Sequence, residues 1–449
     1  MSLTKVTYSI IKGAPANVLD FGAVGDGVTD DTTTFNVAIS AANILGTKLY
    51  VPGGSYLLGT LGDITAPLTI YGDGTGTVLK FNTTGKCFNV NPATVAQQRN
   101  NFTFRDLKFI NSTNTPESFI CNSNGLNVLV DRCYFTDSSV TYAVDQASGY
   151  GFTLRSCVFS DLTGTGLILR DNDATPNYSF VTKIDRCDFT RCSIDAVESQ
   201  GTGVGPVVFD TCVFEASGGL GYRGNTKAGG GFSWNVAFNG CYFEANAGYD
   251  ISINPNGSAV QSYAVLTACQ FSGVPTIDLG NNGRLQINSC ANSGGNICTI
   301  TGSANAEVYL SNCLNFAQSG TFLWSDDSGA TSSYTPTISN TPTSSVSGKY
   351  RVQGRTLKGA VSANVSGAVT GTISVSLPFA QSGNVAQGTV GIATATKNGV
   401  GYYIGSVWID TTNNVLKIHS QVGGVEWSAA QPFVWANLDS FSIEFEYFV

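Results

Sequence analysis

The side chains of this 449-residue chain best suited to chemistry are clustered carboxylates. Asp145 stands in YAVD, Asp171 and Asp173 in RDND, and Asp195 and Glu198 in DAVE. Cleaving a glycosidic bond takes two carboxylates, about 5–5.5 Å apart for retention or about 6.5–9.5 Å for inversion. Crowding also raises one member's pKa, as a general acid near neutral pH requires. A second ladder, Glu215 and Glu244, follows the phenylalanine of CVFE and CYFE. These seven acids form the candidate catalytic set; the alternative for each is a turn residue capping backbone groups. Arg170, Tyr178, Tyr222, Arg223, Lys227 and Trp234 lie nearby in sequence, and their aromatic faces and cations suit sugar rings and acidic sugars. They form the candidate substrate-binding set. Elimination from a uronic acid is the competing chemistry, with Arg223 and Lys227 as base and carboxylate neutraliser. Asp171 and Asp173 offer oxygens to calcium, but the residues require neither metal nor cofactor.

Other chemistries lack their parts. His419, the only histidine, lies in VLKIHSQ beside no nucleophile motif, so a Ser-His-Asp triad is disfavoured. GDGTG at Gly72 and GTGVG at Gly201 have no strand-to-helix context and read as turns. A formal net charge of −8 argues against a nucleic-acid partner. No continuous apolar stretch suits a signal peptide or a membrane span, so synthesis in the cytoplasm without membrane insertion is expected.

What must hold the acids in place is a repeat. A cysteine recurs at the end of extended runs at Cys133, Cys157, Cys187, Cys212, Cys241, Cys269, Cys290 and Cys313, with intervals of 24, 30, 25, 29, 28, 21 and 23 residues. Such a period means one supersecondary unit per repeat. Alternation in VVFDTCVF marks strands, and the absence of a helical period indicates a parallel β-helix whose cysteines form a buried, reduced ladder. Aligning rungs on the phenylalanine of each C-x-F puts Asp145 ten residues on, Asp171 twelve, Glu198 nine and Arg223 nine, which predicts one solvent-facing stripe. Asp173 and Asp195 flank it.

Before the repeat, Asp30, Asp31 and Thr32 are suited to capping a short helix carrying Phe35, Ala38, Ile39, Ala42 and Leu45 on one face and stopped by Gly46. Asp20 to Thr32 reads DFGAVGDGVTDDT and Leu49 to Tyr56 reads LYVPGGSY. Together these strings resemble the start of the pectate-lyase-like right-handed β-helix superfamily, and within it the chain is similar to bacteriophage tailspike depolymerases. The resemblance implies an all-β fold: a right-handed parallel β-helix with an N-terminal capping helix over 18–318. A Ser/Thr/Pro-rich linker at 319–348 and a C-terminal β-sandwich at 349–449, for trimerisation or carbohydrate contact, complete the expectation. It further implies a homotrimer on a phage tail, joined directly or through an adaptor, with a bacterial surface polysaccharide, capsule or O-antigen, as partner. Hydrolysis is the leading activity, with lyase action or glycan recognition without cleavage as alternatives.

Overall fold

From Arg132 on, each described rung turns a corner on one left-handed residue, and the repeat cysteine comes next. Arg132, Ser156, Arg186, Thr211, Gly240, Ala268, Ser289 and Asn312 have φ of 49–59°, and each directly precedes a cysteine of the ladder. Few non-glycine residues adopt that conformation, so a whole row of them is a property of the coil. The computed structural model describes residues 13–92, 101–170, 179–200, 205–224, 235–253, 261–293, 296–303, 305–320, 323–326, 332–353, 356–379, 389–421 and 424–448. The next side chain after the bend is carried inward, where only a small group fits. All twelve cysteines are free, and eleven are fully buried. Their thiols also satisfy backbone carbonyls of the preceding rung: Cys157 donates to Val130 O at 3.4 Å, Cys212 to Ile184 O at 3.5 Å and Cys269 to Phe238 O at 3.2 Å. Burial holds the Cys133 and Cys187 thiols well above their ordinary pKa. The ladder is structural, as its spacing predicts.

Three residues beyond each left-handed corner residue lies a second ladder. Phe109, Phe135, Phe159, Phe189, Phe214, Phe243 and Phe271 stack with centroids 4.6–5.5 Å apart and planes within 18°. Such pairs contribute about 0.5–1.5 kcal/mol each beyond area burial. Both ladders keep successive turns in register, so the strands form three parallel sheets.

One of these sheets differs from the others. It has ten strands: Lys86–Val90, Ser118–Asn122, Tyr142–Gln146, Thr165–Arg170, Val197–Gln200, Tyr222–Arg223, Ile251–Ser252, Thr276–Asp278, Cys298–Gly302 and Phe316–Gly320. Elsewhere strands alternate buried and partly exposed residues, as in Val207–Asp210. In Ser118–Asn122 every residue is buried, and so are Thr165 to Leu169. In these two strands both faces of the sheet are withdrawn from solvent.

The helix spans Thr32–Leu45 and lies against Ala16–Asn17 and Leu49–Tyr50. Phe35, Ala38, Ile39 and Ala42 are buried as expected, and left-handed Gly46 ends it. Leu45, expected on the same face, is exposed. Asp31 precedes the helix, but its carboxylate accepts Val24 and Gly25 N–H instead, tying down the preceding loop.

The chain divides into two compact units, Met1–Glu307 with Cys313–Phe322, and Val308–Asn312 with Leu323–Val449. The second contains an eight-stranded antiparallel sheet, whose edge strand Ser374–Ser376 also bridges Ile338 through Val375. Trp427, Trp435, Val361, Ile443 and Phe441 fill its core. Part of the segment expected to be a linker is strand: Ser332–Tyr334 and Thr343–Gln353 pair in this sheet. Gly348 is the reason a Ser/Thr/Gly-rich stretch packs there, since a Cβ on it would stand 2.4 Å from the Tyr334 ring.

Candidate functional site

Backbone pairing in the ten-stranded sheet runs Cys121, Asp145, Ile168, Glu198, Arg223, Ser252 and Asp278 through successive strands at one position. Asp145, Glu198 and Arg223 therefore share a row, as the alignment predicts. The position assigned to Asp171 belongs to Ile168. Ile168 is nine residues past Phe159, as Glu198 is past Phe189 and Arg223 past Phe214, whereas Asp171 is twelve on. Asp171, Asp173, Tyr178, Lys227 and Trp234 lie outside the described residues.

Two acids of the candidate set are held in ion pairs. Asp145 is fully buried and accepts Arg170 Nε at 2.9 Å on Oδ1 and Arg170 Nη2 on Oδ2. Asp195, 1% exposed, accepts Leu220 N–H at 2.7 Å and both Nε and Nη2 of Arg223. A guanidinium facing a carboxylate through two nitrogens in a dry site fixes the orientation of both groups. These contacts hold Arg170 and Arg223 above their ordinary pKa, the hydrogen bonds being the main cause. Each pair thus fixes a guanidinium at the outward surface.

Glu198 differs. It is partly exposed, accepts Gln200 Nε2 at 2.7 Å on Oε1, and is one strand from Arg223 in the same row. Adjacent strands lie about 4.8 Å apart, so carboxylate and guanidinium face the same space. Nearby, the Arg170 guanidinium sits 5.5 Å from the Tyr142 ring centroid and reaches Glu117 Oε1 at 3.5 Å. Burial, and then the charge of Glu198, raise the Tyr142 phenol.

The stripe continues beyond the predicted residues. Lys86 donates to Ser123 Oγ at 3.3 Å, Ser123 to Asn89 Oδ1 at 2.6 Å, and Asn89 and Asn91 to Asp63 at 2.8 Å each. Burial pulls the Lys86 ammonium down, but Cys121, Asp145 and Glu117 more than offset it, leaving it above its ordinary value. Burial pushes the Cys121 thiol up to about 12, which keeps it inert. At the other end, Asp278 accepts Ser252 Oγ at 3.0 Å and Thr301 Oγ1 at 3.3 Å. Lys86, Glu117, Tyr142 and Asp278 are absent from the sequence-derived set. The first two belong to rungs before Cys133, whose corner signal is DLKF with Leu107 in the cysteine place.

Tyr222 requires a correction. It points inward, 1% exposed, with its ring edge-on to Phe209 and Phe238 at 5.7 and 5.3 Å. Strand alternation forces this: with Arg223 outward, its neighbour faces the core. Glu215 and Glu244 do pair in register, but on the eleven-stranded sheet, so the two acidic ladders are separate features. Glu244 accepts Tyr242 Oη at 2.7 Å and Ser272 Oγ at 3.1 Å.

Comparison with known proteins fits this architecture. Residues 16–122 match the family model described as rhamnogalacturonase A/epimerase, pectate lyase-like, a span that contains the strings from Asp20 to Tyr56. Mannuronan C5-epimerase AlgE6 of Azotobacter vinelandii is 30% identical over 182 residues, 36% of this chain and 19% of the epimerase. The chain thus spans about a fifth of that relative. The crystal structure of Dettilon tailspike protein aligns with a TM-score of 0.54 at 17% identity, covering 96% of this chain and 94% of that one. That likeness is one of fold, a parallel β-helix.

Proposed function

We propose that the outward face of the ten-stranded sheet binds a bacterial surface polysaccharide, capsule or O-antigen, and cleaves it, and that the chain serves a phage tail as a host-attachment spike. The observation carrying this reading is the placement of Glu198: a partly exposed carboxylate in one row with an arginine oriented by a buried aspartate. Nothing in the packing of a solenoid demands that arrangement. Burying Asp145 and Asp195 costs desolvation, and their ion pairs with Arg170 and Arg223 offset it while fixing where the guanidiniums point. The tailspike likeness in fold supports the biological setting.

Hydrolysis is the chemistry we favour. Glu198 acts as the acid, and the second carboxylate comes from Asp171 or Asp173. Asp145 and Asp195 are positioning residues in this scheme. Elimination is the second reading, favoured by the fixed Arg223 and the nearby Tyr142 phenol, which together match a carboxylate neutraliser and a base. Assembly as a homotrimer, joined to the tail directly or through an adaptor, belongs to the same proposal. Light scattering giving the mass of three chains tests the assembly.

For the activity, the full chain is incubated with polysaccharides from candidate hosts and chain length is followed by size exclusion. Shortening with new reducing ends and no new ultraviolet absorbance supports hydrolysis. Shortening accompanied by absorbance from an unsaturated uronic acid supports elimination. Binding without shortening defeats both and leaves a receptor-binding spike.

A further inference from the structure

We infer that the stripe is built for a polysaccharide without uronic acids, neutral or carrying amino sugars, at the subsites along the ten-stranded sheet. This rests on the glycan-binding reading above and names the substrate class. Among the described residues, Lys86, Arg170 and Arg223 supply the cations of the stripe, and Glu117, Asp145, Asp195, Glu198 and Asp278 supply the carboxylates. Two of the cations are already spent. Arg170 is held by the fully buried Asp145 and also touches Glu117, and Arg223 is held by the nearly buried Asp195. Those two pairs are each neutral when seen from the outward surface.

Lys86 then stands against Glu117, Glu198 and Asp278, with Asp63 beyond Asn89 and Asn91 at the N-terminal end. A surface stripe carrying an excess of one charge sets up a potential of that sign, here negative. A polyuronate lying along the stripe would bring a carboxylate with every sugar to within a Debye length, about 10 Å at 0.1 M salt, of these acids. An uncharged chain meets no such repulsion. Its hydroxyls also find suitable partners, since Asn89, Asn91, Ser123, Gln200 and Thr301 carry polar surface between the acids. The full-chain charge of −8 acts in the same direction.

The test uses the full chain and two kinds of probe. The first is a panel of bacterial capsule and O-antigen polysaccharides of known repeat composition, followed for shortening. The second is mannuronan, a polyuronate, cast in a native gel at low salt. Shortening confined to repeats without uronic acid supports the inference, and affinity for such a polymer should change by less than roughly twofold between low and moderate salt. Shortening of a uronate-bearing repeat overturns it. If no polymer in the panel is shortened, the cleavage reading fails, and the gel still decides the charge inference. Unretarded migration through mannuronan supports it; retardation that salt abolishes and Arg223→Gln removes overturns it.

Discussion

Two sheets of one solenoid obey the same repeat and yet treat their outward faces differently. In Thr182–Asp185 and Val207–Asp210 the outward residues are partly exposed, and their charges meet as solvated pairs such as Arg186 with Asp185 at 3.2 Å. In the ten-stranded sheet, Ser118–Asn122 and most of Thr165–Arg170 are buried on both faces, and Asp145 lies between them with Arg170 as its partner. Where water is present, a charged pair contributes little, with a median near 0–1 kcal/mol. Where it is excluded, each charge must have a partner, and the partner's orientation becomes fixed. The contrast locates the site better than the count of acidic residues does.

The largest expected effect separates the two acidic ladders. Glu198→Gln should lower cleavage by about 10²–10⁴-fold with an unchanged unfolding midpoint, the range for losing a general acid. Glu215→Gln, on the eleven-stranded sheet, should leave the cleavage rate within roughly twofold, as expected of an exposed acid outside the catalytic machinery. Chain-shortening assays on the two variants side by side check this, and the reverse result would move the site to the other ladder.

Next comes the contrast between dry and wet ion pairs. Asp145→Ala strands Arg170 and should destabilise the solenoid by about 3–5 kcal/mol in urea unfolding. Asp185→Ala should cost less than about 0.5 kcal/mol. Equal losses would mean that the two faces are alike after all.

The inner ladder should respond more gently. Cys157→Ala removes a thiol that donates to Val130 O and Arg155 O, and a loss of about 1 kcal/mol is expected. A change in metal content on the same substitution would contradict a purely structural ladder.

The smallest effect is a pH limb. Asp106 is held below its ordinary pKa mainly by the Arg132 hydrogen bond. Its stabilisation is therefore present above the ordinary carboxylate value and lost as pH falls through the lowered one. Partial exposure of both side chains keeps it modest. Arg132→Gln should flatten that acid limb in unfolding midpoints measured against pH.

Much of the fold was legible in the sequence because a coil repeats its constraints. Cys133, Cys157, Cys187 and their successors mark each corner, and the neighbouring phenylalanines mark the stacked core. The strings from Asp20 to Tyr56 mark the first turns. The row of Asp145, Glu198 and Arg223 was legible too, since spacings of ten, nine and nine residues from the phenylalanine bring them to one position on successive strands. In the strand that ends at Arg170 the row position belongs to Ile168, nine residues past Phe159, and Asp171 lies outside the described residues. Tyr222 was misassigned because an aromatic beside an arginine looks like a sugar platform until alternation is applied strictly. The ion pairs of Asp145 and Asp195 join side chains 25 and 28 residues apart, and no local pattern distinguishes a paired carboxylate from a working one. Their burial was equally invisible, because it depends on what covers the outward face.

The most direct test is a crystal structure of the Glu198→Gln variant with an oligosaccharide of a cleaved polysaccharide. The account predicts sugar density along the ten-stranded sheet, with a ring near Tyr142 and the scissile linkage within hydrogen-bond reach of position 198 and beside Arg223. Density over Glu215 and Glu244, with the Glu198 surface empty, would contradict it.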